Sequence, residues 1–235
     1  MHAHYYYRRL TSFFILIIIS LYQGCRANLP VVGDAAPAVT PIRNVREMLD
    51  VRTTSFVTHP AFGDFSVCYG NTCRFIAGLG LGHEEWGRIR EMFSAAAATP
   101  AEEREHIRAA VAMLEMITGD RIGTSADRGE NINGLGLPGQ MDCVDESTNT
   151  TVYLTMLQAD HLLKWHTVES RTSRGLGTLQ APHFTAVIRD RSDNMRYAVD
   201  SWFLDNGLPP FIVPLSIWER GWKPPAAEVT GAVER

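Results

Sequence analysis

Cysteine is scarce in this chain, at four residues among 235. No further Cys or His lies at ligand spacing near Cys68 and Cys73, which disfavours a metal site there. Lys and Arg form no run beyond isolated pairs, and the formal net charge is -4. That leaves no electrostatic footprint for nucleic acid, and nucleic-acid partners are set aside. The apolar run at 13–19 falls short of the roughly 20 residues a membrane-spanning helix needs.

What is present begins with that run. Arg8 and Arg9 precede it, a charged segment followed by an apolar one of signal-peptide length. It closes on Leu21-Tyr22-Gln23-Gly24-Cys25, which resembles a bacterial lipoprotein signal in which Cys25 is cut, acylated and becomes the anchor. A small-x-small site after Ala27 is the competing cut, and an uncleaved anchor is a third reading. All three imply export, to a bacterial periplasm or its membrane. The expected organisation is a signal segment at 1–27, a Pro/Ala/Gly-rich linker at 28–50, one folded domain at 51–223 and a tail at 224–235. At 45% hydrophobic content, about 200 mature residues suffice for one buried core.

Cys68 and Cys73 bracket Tyr69-Gly70-Asn71-Thr72, a turn-forming stretch inside a predicted hairpin. In an oxidising compartment they are expected to pair. Cys143 is then the one thiol of the domain left over, and an odd cysteine in an exported protein is inert, intermolecular or reactive.

Patterning predicts a helix over 84–97. A second should start at Thr99-Pro100-Ala101-Glu102 and run through Ile117, with Gly119 ending it. Five glycines between 123 and 139 make 124–140 a long loop, and such loops are commonly functional. A third helix is predicted from Cys143 to about Trp165. The helix dipole there favours a thiolate, while Asp142, Asp145 and Glu146 oppose it, so the sign of the shift stays open.

Residues 182–188 and 195–203 are β-prone and flank the polar turn 189–194, a hairpin signature. A two-residue turn at Arg191-Ser192 would pair residues whose numbers sum to 383, setting His183 opposite Asp200. Phe184, Ala186, Ile188, Tyr197 and Val199 would share one apolar face. The small, polar face with His183 and Asp200 would receive the start of the Cys143 helix.

Cys at a helix start, then His opening a strand, then Asp on the next strand resembles the transglutaminase-like branch of the papain-like cysteine enzymes, nearest to bacterial transglutaminase-like cysteine peptidases. The likeness rests on Gln140-Met141-Asp142-Cys143-Val144-Asp145, on His183-Phe184-Thr185-Ala186-Val187 and on Asp200, and covers roughly 129–202. Ser147-Thr148-Asn149-Thr150-Thr151 departs from it, since family helices are more apolar there. The resemblance implies an α+β, papain-like fold with the nucleophile's helix packed on an antiparallel sheet. It implies no cofactor and no metal. It also implies acyl transfer from a peptide or protein amide through a Cys143 thioester, with His183 as base and Asp200 orienting it. The oxyanion would meet the Cys143 N–H and a second donor, with Gln140 the first candidate and Asn131 or Asn133 the others. Asp205 is the rival third member, although its turn sequence explains it. The reading from another class is an envelope-anchored binding or scaffold domain of the same fold without turnover.

Overall fold

The computed structural model describes residues 56–132, 136–175 and 181–226. The export segment with Cys25, the linker, Asn133 and residues 227–235 lie outside the described residues. Strands β1 (Phe65–Tyr69) and β2 (Phe75–Leu79) pair antiparallel, Cys68 opposite Ile76, and form the expected hairpin. Cys68 and Cys73 are disulfide-bonded across its tip. Four consecutive residues there have left-handed backbones, with φ of 84° at Gly70, 70° at Asn71, 52° at Thr72 and 54° at Cys73. Only Gly adopts that region without steric cost, so the other three need compensating bonds.

Helix α1 (His83–Glu91) is shorter than predicted. Helix α2 (Pro100–Ile122) starts at its predicted cap, where the Thr99 hydroxyl accepts from the Glu102 N–H and Pro100 opens the first turn. It does not end at Gly119 but runs on to Gly123, the left-handed terminal residue with φ 79°. Gly119 serves packing instead, because a Cβ there would meet Asn206 Nδ2 at 2.9 Å.

Helix α3 (Cys143–Ala159) begins where predicted but stops early. His161 adopts a left-handed φ of 59° and the Leu162 N–H donates to the Leu157 carbonyl at 3.0 Å. This termination needs no glycine and so leaves no mark in the sequence. The released chain becomes an unpredicted strand, β3 (His166–Arg174), the edge of an antiparallel meander with β4 (His183–Asp190), β5 (Arg196–Asp200) and β6 (Phe211–Pro214). A short helix, α4 (Leu215–Trp218), follows.

The chain is therefore α+β, with two antiparallel sheets and several helices. Its core gathers Val152, Leu154 and Leu157 of α3, Ile107 and Leu114 of α2, and Phe65 and Val67 of β1. Val168, Ala186, Ile188 and Val199 of the large sheet complete it. Enclosure on several sides explains the polar run in α3. Ser147 to Thr151 are all buried, where an unpaired polar group costs about 1–3 kcal/mol. Asn149 accepts from the Cys68 N–H at 2.6 Å and donates to the Cys68 carbonyl at 2.8 Å. Thr150 meets Ser201 at 3.1 Å, and Thr151 donates to the Ser147 carbonyl at 2.7 Å.

The β4–β5 register differs from the expected one by two residues. Ala186 pairs with Val199 and Ile188 with Tyr197, so numbers sum to 385, because the turn takes in Arg191 through Asn194 rather than two residues. Arg191 donates its N–H to the Trp165 carbonyl and Asp190 closes the turn onto Met195. A slip of two preserves face parity. Ala186, Ile188 and Val199 share the face covered by α3, whereas Val187 and Ala198 pack with Leu215 and Trp218 of α4. Helix α3 thus lies on the apolar face, not on the polar face expected to receive it.

Candidate active site

Asp142 caps α3, its Oδ1 accepting from the N–H groups of Val144 and Asp145 at 3.0 Å each. Its other oxygen accepts from the Thr72 N–H at 2.8 Å, and Asp145 accepts from the N–H groups of Asn71 at 2.7 Å and Cys73 at 2.6 Å. The left-handed disulfide loop therefore turns three successive N–H groups onto two carboxylates of the helix start, which compensates its backbone strain. Between those acids stands Cys143, half-buried and unpaired.

Burial, then the charges of Asp142 and Asp200, pushes the Cys143 thiol up to about 11, against the N–H groups of Phe184 and of Cys143 itself. The opposition left open by the sequence is thus decided against the dipole.

His183 Nε2 lies 2.8 Å from Asp200 Oδ2. A register sum of 385 would set Asp200 opposite Thr185, so the pair is a diagonal contact on one face, within reach for an imidazole. A carboxylate only accepts, so this bond assigns the proton to Nε2 and leaves Nδ1 as the ring's acceptor. Asp200 Oδ2 also accepts from Trp218 Nε1 at 2.6 Å, while the His183 ring packs against Trp202 and Trp218 with centroids 4.9 and 5.5 Å away. Trp202 lines the cavity, whereas Trp218 is fully buried behind it. A cavity of about 720 Å³ opens over Cys143 and His183, with Phe184, Trp202, Arg174 and Arg220 among its walls.

Gln140, expected as oxyanion donor, is directed elsewhere. Its Nε2 donates to the Ala126 carbonyl at 2.9 Å, its Oε1 accepts from Asn131 Nδ2, and it does not line the cavity. The glycine-rich loop draws it inward, since Gly129 lies so close to Phe203 and Leu204 that a Cβ would meet backbone at 2.6 Å. Asn131 does line the cavity. Asp205 pairs with Arg128 and accepts from the Gly129 N–H at 3.0 Å; its partners are in the loop and do not include His183.

Behind Asp200, sequence reasoning missed a group of buried acids. Glu146 is enclosed, and burial followed by the charges of Asp127 and Glu115 raises it well above the usual glutamate range. Burial likewise raises Asp127 and pushes Glu115 up to about 7. Asp127 Oδ2, Glu146 Oε2 and Asp200 Oδ1 are buried without a hydrogen-bond partner. The Asp127 charge acts on Glu146, and two buried carboxyls so close in charge coexist only when one keeps its proton. No sequence period marks these acids, because they come from α2, the loop and α3.

Among the described residues no three or more His, Cys, Asp or Glu side chains converge as metal ligands, and no helix is long and apolar enough to cross a membrane. No protein-family model matches the chain, and neither a curated protein nor a solved structure matches it.

Proposed function

We propose that this protein is a cysteine-nucleophile acyl-transfer enzyme with a papain-like, transglutaminase-like arrangement, acting on a peptide or protein amide in the cell envelope. The observation that carries the reading is the 2.8 Å bond from buried Asp200 to His183, whose ring lines the same cavity as Cys143. His183 Nδ1 takes the Cys143 proton as Sγ bonds to the amide carbon, and the oxyanion meets the Cys143 N–H. The imidazolium then protonates the leaving amine as the C–N bond breaks. Water or a second amine resolves the thioester, regenerating the thiol.

Export and a lipid anchor at Cys25 belong to the same proposal. The Cys68–Cys73 bond supports an oxidising compartment. Detergent-phase partitioning tests the anchor; an aqueous-phase protein beginning at Asn28 overturns it.

The second reading, a non-catalytic binding or scaffold domain, is favoured by the raised thiol pKa, since a protonated sulfur is a poor nucleophile. Iodoacetamide labelling of Cys143 against pH separates the two. With His183 as base, labelling is already fast well below the raised thiol value, and His183→Ala reduces it to a monotonic rise toward about pH 11. Wild-type protein that already shows the monotonic rise is the scaffold's result.

A further inference from the structure

We infer that the cavity over Cys143 selects substrates bearing a carboxylate, a peptide with an acidic side chain or an acidic terminus near the bond that is opened. The inference rests on the acyl-transfer reading for what happens to such a substrate, but not for its binding.

The chain as a whole carries a net charge of -4, yet the charges on the cavity wall run the other way. Arg174, Arg220 and Lys223 line it against a single carboxylate among its described lining residues, Asp142. Both Asp142 oxygens already accept backbone N–H groups of Thr72, Val144 and Asp145. Asp200, the next nearest acid, is buried behind His183 and holds both that ring and Trp218. None of the three forms an ion pair among the described residues; Arg174 feels the charge of buried Asp200, while Arg220 and Lys223 have no acid against them in the cavity wall beyond Asp142. Elsewhere Arg90, Arg104, Arg121, Arg128, Arg189 and Arg196 each hold a carboxylate.

Nor are the cations scattered on a loose tail. The Arg174 guanidinium lies 4.4 Å over the Trp218 ring and donates to the Trp218 carbonyl. Arg220 and Lys223 flank Trp222, which is wedged against Phe203 and Phe211 at 5.6 and 5.5 Å. Buried Trp218 fixes the other end of that segment. Arg174 is therefore fixed, and the segment bearing exposed Arg220 and Lys223 is anchored through Trp218 and Trp222, along a wall that also offers apolar surface from Phe184 and Trp202. A ligand with an apolar stretch and a carboxylate matches both, and cations in a concave site concentrate anions there in a salt-dependent way.

Iodoacetate and iodoacetamide are near-isosteric probes, one anionic and one neutral. The quantity to measure is the ratio of their Cys143 alkylation rates in the full chain, relative to the same ratio in urea-unfolded protein. The expected result is a raised ratio in the folded protein. It should fall about fivefold in Arg220→Gln/Lys223→Gln and by a similar factor near 0.5 M salt, as exposed charges do. A ratio equal to the unfolded one, or unchanged in the double variant, overturns the inference. If Cys143 resists both reagents, the acyl-transfer reading fails on its own. The charge preference is then decided on Cys143→Ala protein, by anisotropy of a dansylated Glu-Ala-Glu peptide against its Gln-Ala-Gln counterpart. Tighter binding of the Glu peptide, lost in the double variant, upholds it; equal binding or none overturns it.

Discussion

His183 and His166 sit at opposite ends of the β3–β4 ladder, and each holds a carboxylate. His183 Nε2 is 2.8 Å from Asp200, and His166 Nδ1 is 2.9 Å from Glu103. Their surroundings separate them. His183 forms part of a cavity wall that Cys143 also lines. His166 is fully enclosed, its other nitrogen faces Arg104 at 3.3 Å, and Glu103 also accepts from the N–H groups of Lys164 and Trp165. One carboxylate keeps a buried oxygen without a partner, whereas the other is a hub with every bond made. A histidine–carboxylate pair is therefore no site in itself; access, a free thiol on the same cavity wall and an incomplete hydrogen-bond set distinguish the candidate from the structural pair.

The sharpest way to break this comparison is Asp200→Asn. The amide is isosteric, and it removes one charge from a crowded group of acids, so stability should hold or rise slightly in urea melts. Cys143 alkylation at neutral pH should fall about a hundredfold to a thousandfold, less than the loss seen for the equivalent change in serine proteases. Unchanged labelling would make the His183 pair as structural as the His166 pair.

Glu103→Gln tests the other member. Burial would raise Glu103, but the His166 ring and the Trp165 and Lys164 N–H groups outweigh it and hold the carboxyl below its usual range. That stability is present above the ordinary glutamate pKa and is lost as pH falls through the depressed one. The variant should lose about 2–3 kcal/mol at neutral pH and flatten the acid limb of the stability profile, with little change in labelling.

The disulfide loop belongs to the Cys143 end alone. Cys68→Ser/Cys73→Ser should cost about 2 kcal/mol in thermal or urea denaturation by opening a short loop. Labelling should slow as well, because Asn71, Thr72 and Cys73 hold the acids that flank Cys143. A stability loss with unaltered labelling would uncouple the loop from the thiol.

Glu115 titrates in the opposite sense to Glu103. Raised to about 7 by burial, it contributes stability that is present in full below the ordinary glutamate pKa and lost as pH rises through the folded one. Glu115→Gln should therefore match wild type near pH 4 and exceed it by about 1–2 kcal/mol near pH 8. The smallest expected effect is that of Asp205→Asn on labelling, which is none, since Asp205 holds Arg128 and Gly129.

Local physics made much of this protein readable. The Thr99-Pro100 start of α2, the start of α3 at Cys143 and the turn between Cys68 and Cys73 each depend on a few neighbouring residues. Face parity in β4 and β5 survived a wrong register because side chains alternate with period two, which is why His183 and Asp200 could be paired from sequence. The turn length that sets the register could not be read so, as the Trp165 carbonyl that receives the Arg191 N–H belongs to another element.

The same limit applied wherever partners came from afar. The end of α3 rests on a left-handed His161 that no glycine announces. Gln140 looked free to donate until the loop folded its amide onto Ala126. The buried acids Glu115, Asp127 and Glu146 each look like surface charge within their own segment. Strand face and the starts of α2 and α3 were thus settled by residue identity and spacing, which act over a few positions. The sulfur's protonation, the loss of Gln140 as a donor and the charge of the cavity wall were decided by the tertiary structure, because burial and through-space charge depend on segments far apart in the chain.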